Sequence, residues 1–402
     1  MIDLKLFSEA NFKKLVIDLK PRNISEEYLI DIKNKIEERN KLILLINNLR
    51  REKKQKTKED FSSSKTLREE ISEFEKKERF VDEELKKLLS FIPNIPSDDT
   101  PSNEGGNKIV EKIEFIHEIG HNFTGEEIMR KLNLVDEELG VKLSGSKFVV
   151  YKNLGSSLLR SLINFMIFEN KKRGYNIFDI PYLVDIDNHY NVGQLPKFQE
   201  DFYKIENSNL CLIPTSETAL VNLYKDSIIN EEDLPIKICS YSPCFRAETG
   251  SAGQENKGLI RLHQFNKVEL VKLAKPSDSY LELKSIVSDA QNILNLLKIP
   301  HRVIDLCYDE LGFSSKKTYD VEMWLPISKK WLEISSCSNC GDFQSRRASI
   351  RVKNKEGKKY FPYTLNGSSL AIDRLMIAIC EYYYDEKEDK INFPSSLNNF
   401  LW

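Results

Sequence analysis

The stretch that decides the fold is CFRAE (244–248) followed by GLIRLHQFNKVEL (258–270), with the polar, glycine-containing TGSAGQENK between them. The flanking segments predict two strands and the middle a loop that forms no core. Side chains alternate along a strand, so Arg246 and Glu248 are expected on one face. Phe265 and Glu269, four residues apart, are likewise expected to share a face. Arg261 adds a second cation. The predicted sheet face carries cations, an aromatic ring and carboxylates, with a polar loop at its edge.

Such a face suits a nucleotide and a small zwitterion. An arginine fork holds a phosphate, and a glutamate accepts from an exocyclic amine. A phenylalanine stacks on a purine, and a second glutamate pairs with an α-ammonium. A surface hairpin with cross-strand ion pairs, each worth under ~1 kcal/mol, accounts for the same residues. Taken alone, the stretch leaves the two readings even.

The chain of 402 residues predicts two domains. A hydrophobic content of 40% supplies a core, while 30% charged residues sum to a net charge of only −2. Any nucleic-acid contact must therefore come from local patches. No run approaches the ~20 apolar residues that span a bilayer, and the start, MIDLKLFSEANF, resembles neither a signal nor a transit peptide. The seven cysteines are odd in number and scattered, which argues against a disulfide framework. A cytoplasmic location is expected. Cys337 and Cys340 form a lone CxxC without the further ligands of a zinc site, and read as thiols packed beneath a site.

Residues 26 to about 59 contain no Gly or Pro and read as one helix projecting about 50 Å at 1.5 Å per residue. Leu29, Ile32, Ile36, Ile43 and Ile46 form one heptad seam, and Leu67, Ile71, Phe74, Val81, Leu85 and Leu88 a second. FSSS (61–64) between them predicts the turn of an antiparallel hairpin. Arg50, Arg51, Lys53, Lys54, Lys56 and Lys58 crowd the tip, with Glu52 the only acid among them. A charge run is usually a solvated helix face. Clustered cations at the end of an arm add repulsion without a core, so contact with an RNA or DNA backbone is the better reading. The segment 91–108, FIPNIPSDDTPSNEGGNK, reads as a linker. Residues 1–100 are thus assigned to the arm domain with the linker's start, and 101–402 to a second domain of mixed strands and helices. There, 154–173 reads as an amphipathic helix and YNIFDIPYLVD (175–185) as a strand, with Pro181 marking an edge or bulge.

No P-loop or Rossmann fingerprint is present. In order along the chain, the helix with IPYLVD, then CFRAE to HQFNKVEL, then LNGSSLAIDRLMIAI resemble motifs 1, 2 and 3 of class II aminoacyl-tRNA synthetases. GQLPKF, IPTSET, EISSCSNCGDFQSRR and LNGS resemble the seryl-tRNA synthetase family, as does the hairpin ending in IPNIP. The resemblance covers essentially the whole chain. Ser369 and Asp373 stand where the family's motif 3 often has glycine, and NVGQLPKF replaces a frequent GTGQLPKF.

The resemblance implies an α+β fold, an antiparallel sheet flanked by helices and joined to a tRNA-binding helical arm. It implies ligation of serine to tRNA(Ser), with ATP and Mg²⁺, by a homodimer joined through motif 1. It leaves tRNA(Sec) open as a second acceptor. By the same resemblance Arg246, Glu333 and Arg374 are catalytic. Arg246, Ala247, Glu248, Phe265, Glu333, Ile334, Ser335, Ser336 and Arg374 contact ATP, and Glu333 and Ser336 ligate the metal. Thr215, Ser216, Glu217, Arg246, Glu269, Asn366 and Ser368 contact serine, and the six tip cations contact tRNA. A carboxylate nucleophile is already ionised at neutral pH, so no Ser–His–Asp set is required. Two rivals share parts of this pattern. A carrier-protein amino-acid ligase would lack the full arm, and a non-catalytic RNA-binding paralogue would lack Arg246, Glu248, Glu333 and Arg374.

Overall fold

The computed structural model describes residues 1–56, 61–249 and 258–401, with the backbone alone for 55, 56 and 61–64. The chain divides into two compact units, Met1–Ile95 and Pro96–Trp402.

The first unit is helical: α1 (Glu9–Leu19), α2 (Glu26–Lys56) and α3 (Phe61–Ser90). Neither α2 nor α3 contains Gly or Pro, and Glu26 and Glu27 in the first turn of α2 complement its N-terminal dipole. Ion pairs Lys35–Glu84, Arg39–Asp82 and Arg50–Glu75, each 2.7 Å, set α2 and α3 antiparallel. Leu29, Ile32 and Ile46 are buried, as are Leu67, Ile71, Val81 and Leu85. Ile36, Ile43 and Phe74 are only half-buried. At the end of α3 the buried residue is Leu89, and Leu88 is partly exposed. A straight helix drifts about 20° per heptad from a strict 3.5-residue repeat, which moves the seam on by one position. FSSS is the start of α3 rather than a turn; residues 57–60 lie outside the described residues.

The second unit is built on an eight-stranded sheet. Its strands are β1 (Lys108–Ile113), β2 (Asn176–Ile177), β3 (Ile236–Phe245), β4 (Gln264–Ala274), β5 (His301–Asp305), β6 (Lys317–Leu325), β7 (Lys330–Asn339) and β8 (Tyr363–Ala371). Their order is β1-β5-β6-β7-β8-β4-β3-β2, antiparallel except for β2 beside β3. The expected strand at 175–185 is broken into Asn176–Ile177 and Leu183–Asp185. Pro181 lies between the pieces and has no N–H to give a ladder.

Helices α4 (Leu154–Lys172), α5 (Ser279–Leu296) and α6 (Ile372–Tyr383) bury Leu158, Leu162, Ile286, Leu294, Leu375 and Ile379 in one core with Val268, Leu270, Val321 and Leu365 of the sheet. Each such side chain contributes roughly 1.5–3 kcal/mol by leaving water. Gly367 permits the close approach of α5: a Cβ there would meet Ile286 Cγ2 at 2.5 Å and Cys337 Sγ at 2.9 Å. All seven cysteines are buried free thiols.

Candidate active site

The sheet face turned away from that core carries a cavity of about 370 Å³. Alternation along β4 builds one wall. Phe265, Lys267 and Glu269 face the cavity, while Val268 and Leu270 face the core. Lys267 was missed in the sequence, although the alternation that selects Phe265 and Glu269 selects it equally.

Two β-bulges build the opposite wall. Between β6 and β7, Val321 opposes Ser335 and Glu322 opposes Glu333, which leaves Ile334 as an extra residue. Glu333 and Ser336 are three apart, and strict alternation would turn them to opposite faces. The extra residue brings both to the cavity. On β8, Ser368 opposes Glu269 and Leu370 opposes Val268, leaving Ser369 unpaired in the ladder. Ser368 and Ala371 consequently both line the cavity. The Ser369 hydroxyl accepts from Asn170 Nδ2 at 2.9 Å, so this departure from the family pattern is satisfied within the core.

Arg246 and Glu248 also line the cavity, though not through strand alternation. β3 ends at Phe245, and Glu248 adopts a left-handed φ of 51°. The Arg246 guanidinium lies 5.0 Å from the centre of the Phe265 ring. Arg261 Nε donates to Glu248 at 2.5 Å. Arg374, at the start of α6, donates through Nη1 to Glu333 O at 2.6 Å and lies 3.9 Å from the Glu333 carboxylate. Asp373 accepts from Asn266 N and from the Tyr151 hydroxyl, each at 2.5 Å, tying α6 to β4 beside Phe265 and Lys267. Burial raises the Asp373 pKa.

Thr215, Glu217, Asn366 and Ser368 line the cavity near Glu269. Lys267 donates to Thr215 Oγ1 at 3.0 Å and forms an ion pair with Glu269. Asn366 Nδ2 donates to Glu217 Oε1 at 2.8 Å. Burial, and then the charge of Glu269, push the Glu217 carboxyl up to about 7 against the opposing pull of Gln344, Lys267 and Arg246. Ile334 lines the cavity, whereas Ala247, Ser216 and Ser335 do not. Ala247 N donates to Asp201 O. Ser216 is fully buried against Ser242, and Ser335 donates to Ser368 O, which fixes the strand carrying Ser368. His263 holds the Arg246 carbonyl through Nδ1 at 2.9 Å and does not line the cavity. Arg346 pairs with Asp342 at 2.8 Å and Arg347 donates to the carbonyls of Tyr190 and Leu195, while the arginine beside Glu333 is Arg374. Cys337 and Cys340 lie buried behind the cavity face.

Glu333 and Ser336 offer hard oxygen donors beside Asp320, whose Oδ1 is buried without a hydrogen-bond partner. Burial, and then the charge of Glu333, raise the Asp320 pKa. Among the described residues no cluster of three or more His, Cys, Asp or Glu side chains is placed to hold a metal. The donor set fits a cation that keeps several waters and takes phosphate oxygens, as magnesium does.

Of the predicted tip cations, Arg50 is paired with Glu75 and remains largely exposed. Arg51 is exposed on the last turns of α2. Lys53 and Lys54 lie on the same turns, Lys56 ends the helix, and Lys58 is outside the described residues.

Residues 201–383 match the model of the tRNA synthetase class II core domain (G, H, P, S and T). A serine–tRNA ligase from Sulfurihydrogenibium sp. is 46% identical over 330 residues, spanning 80% of this chain and 78% of the relative. One from Campylobacter jejuni subsp. doylei is 41% identical over 423 residues, the full length of both. The crystal structure of seryl-tRNA synthetase from Pyrococcus horikoshii complexed with ATP superposes with a TM-score of 0.91 at 27% identity, over 100% of this chain and 98% of that one. An antiparallel sheet with motif 2 on β3–β4 and motif 3 on β8–α6 is the class II aminoacyl-tRNA synthetase core. Within that class, the chain belongs to the serine–tRNA ligases.

Proposed function

We propose that the cavity activates L-serine with ATP and that the seryl group then passes to tRNA(Ser). A serine carboxylate oxygen attacks the α-phosphorus, the bond to the β-phosphate breaks, and pyrophosphate leaves. A terminal ribose hydroxyl of tRNA next attacks the seryl carbonyl, AMP leaves, and the hydroxyl proton is released. The observation that carries this reading is one cavity holding a phosphate-type set, Arg246, Arg374, Glu333 and Ser336, and a zwitterion-type set, Thr215, Glu217, Glu269, Asn366 and Ser368.

Arg246 holds the α-phosphate and the serine carboxylate, and Arg374 the γ-phosphate. Glu248 accepts from the adenine amine while Phe265 stacks on the ring. Ile334 lines the cavity beside the nucleotide, while Ala247 and Ser335 lie behind its wall and hold the neighbouring chain through Asp201 and Ser368. Glu333 and Ser336 would hold magnesium, which when bound neutralises charge between the phosphates. Glu269 pairs with the serine ammonium beside Thr215, with Ser216 packed behind the wall, and Glu217, Asn366 and Ser368 enclose the side-chain hydroxyl. Rate enhancement then comes from positioning and from charges placed where the transition state develops charge. The ATP complex of the Pyrococcus relative supports the nucleotide assignment.

Arg50, Arg51, Lys53, Lys54, Lys56 and Lys58 bind the tRNA backbone, and residues 1–100 act as the tRNA-binding domain beside a catalytic domain at 101–402. The enzyme works in the cytoplasm as a homodimer joined through the motif 1 region. Among the described residues no helix is long and apolar enough to cross a membrane. Acylation of a tRNA(Ser) transcript with labelled serine tests the assignment, and a tRNA(Sec) transcript in parallel tests the second acceptor. Absence of serine transfer to tRNA(Ser) would refute the reading.

A further inference from the structure

Gln344 lies behind the cavity wall on the short helix Phe343–Arg347 and is fully buried. Its Nε2 donates to Val192 O at 3.0 Å and to Glu217 Oε1 at 2.6 Å. Its Oε1 accepts from Thr364 Oγ1 at 2.6 Å, and Thr364 is fully buried too. The two ends of a carboxamide are similar in shape, but the Val192 carbonyl can only accept. The NH₂ end must therefore face Val192, and the same end reaches Glu217.

Asn366 Nδ2 donates to that same Glu217 oxygen at 2.8 Å. An oxygen taking two N–H donors has both lone pairs engaged. Oε2 is left as the oxygen open to a ligand and as the place where a proton sits when the carboxyl is neutral.

We propose that Gln344 is a positioning residue for hydroxyl recognition, engaging Glu217 Oε1 so that Oε2 alone is presented to the side-chain hydroxyl of serine. The inference rests on the reading of Glu217 as a serine ligand. Ionised, Oε2 accepts from the serine O–H; protonated, it donates to the serine oxygen. An amino acid with a methyl in place of the hydroxymethyl leaves Oε2 without a partner in either state. A site built to bond a hydroxyl rejects the analogue lacking it much more strongly than an apolar pocket can. Without the Gln344 donor only Asn366 holds Oε1, and the lone pair released on that oxygen competes with Oε2 for the ligand.

The charged groups facing Glu217 are Glu269 and Lys267 from β4 and Arg246 from beyond β3, with the Cys340 thiol also near it. All remain in the variants that test the idea.

Serine- and alanine-dependent ATP–pyrophosphate exchange is measured for the full chain, Gln344→Met, Thr364→Val and Glu217→Gln between about pH 5.5 and 8.5, the range that brackets a near-neutral acid. In Gln344→Met the serine-over-alanine ratio of kcat/KM falls about tenfold or more, through the KM for serine, with the KM for ATP unchanged. Its pH inflection moves upward, because a donor favouring the carboxylate is gone. Thr364→Val moves both in the same direction by less, and provides the test if Gln344→Met does not fold. An unchanged ratio in Glu217→Gln would remove the underlying reading of Glu217. A changed ratio there, with ratio and inflection unmoved in Gln344→Met and Thr364→Val, would overturn the role of Gln344 alone.

Discussion

Lys267 and Glu269 form an ion pair on the cavity face of β4, with only 7% and 2% of the two residues exposed. Glu269 is the proposed partner of the serine ammonium, so Lys267 supplies its counter-charge before serine binds. Removing one member of a buried pair costs about 3–5 kcal/mol, because the remaining charge is left uncompensated. Lys267→Met is therefore expected to melt well below the wild type and to gain more from added serine than the wild type does. Thermal unfolding with and without serine measures both, and an equal serine-induced shift in the two proteins would contradict the pairing argument.

Glu269→Gln removes the counter-charge of the ammonium but leaves the arginines that would hold phosphate. Loss of a charge-assisted hydrogen bond costs roughly 1.5–3 kcal/mol, which is about ten- to a hundredfold in the KM for serine. The KM for ATP should stay within about twofold on the same reasoning. Equal losses for both substrates would show that Glu269 is not a serine ligand.

Much of this site was legible in the sequence because the chemistry-bearing residues sit in short contiguous motifs. Arg246, Glu248, Phe265, Glu269 and Arg374 all line one cavity. The reasons were less legible. Glu333 and Ser336 meet only because Ile334 is bulged, and a bulge depends on pairing with β6, which one strand's sequence does not state. Glu248 reaches the cavity through a left-handed φ rather than a strand period. Gln344 was unreadable as a site residue, since its role arises from Val192 and Thr364, both remote in sequence. In the arm the heptads located both helices, yet Leu89 replaced Leu88 in the seam, because spacing alone does not fix supercoiling.

Glu217 gives stability a pH signature. Its folded pKa of about 7 lies above the value of 4.5 expected for an unperturbed glutamate. The folded protein thus holds a proton that the unfolded chain releases. The cost of ionising Glu217 is absent below about pH 4.5, grows through the interval, and is complete above about pH 7. After allowance for cavity water it amounts to roughly 1–3 kcal/mol. Glu217→Gln keeps an oxygen for Gln344 and Asn366 but cannot ionise. It should melt above the wild type at about pH 8, by a margin that shrinks toward about pH 5. Melting curves at the two pH values decide this, and a margin that grows on acidification would contradict it.

Serine substitution of Arg50, Arg51, Lys53, Lys54, Lys56 and Lys58 should weaken tRNA binding and flatten its salt dependence. Each lost phosphate contact lowers the log–log slope by roughly 0.7–0.9. Arg50 is already paired with Glu75, and that pairing reduces its share of the contact. Affinity measured at several salt concentrations gives the slope, and an unchanged slope would mean that the tip is merely solvated. Pyrophosphate exchange should be spared, because the proposed ATP and serine ligands all lie in the second unit.

The most direct test of the central claim is amino-acid-dependent ATP–pyrophosphate exchange, run on the wild type with serine, alanine and threonine and on Arg246→Ala and Glu333→Ala with serine. Serine should support exchange, and alanine and threonine should support little. Both variants should lose it while remaining folded, since each removes charge that water cannot replace, at a cost of several kcal/mol, about 3 or more, in the transition state. Exchange that does not depend on serine, or near-normal exchange in either folded variant, would contradict the account.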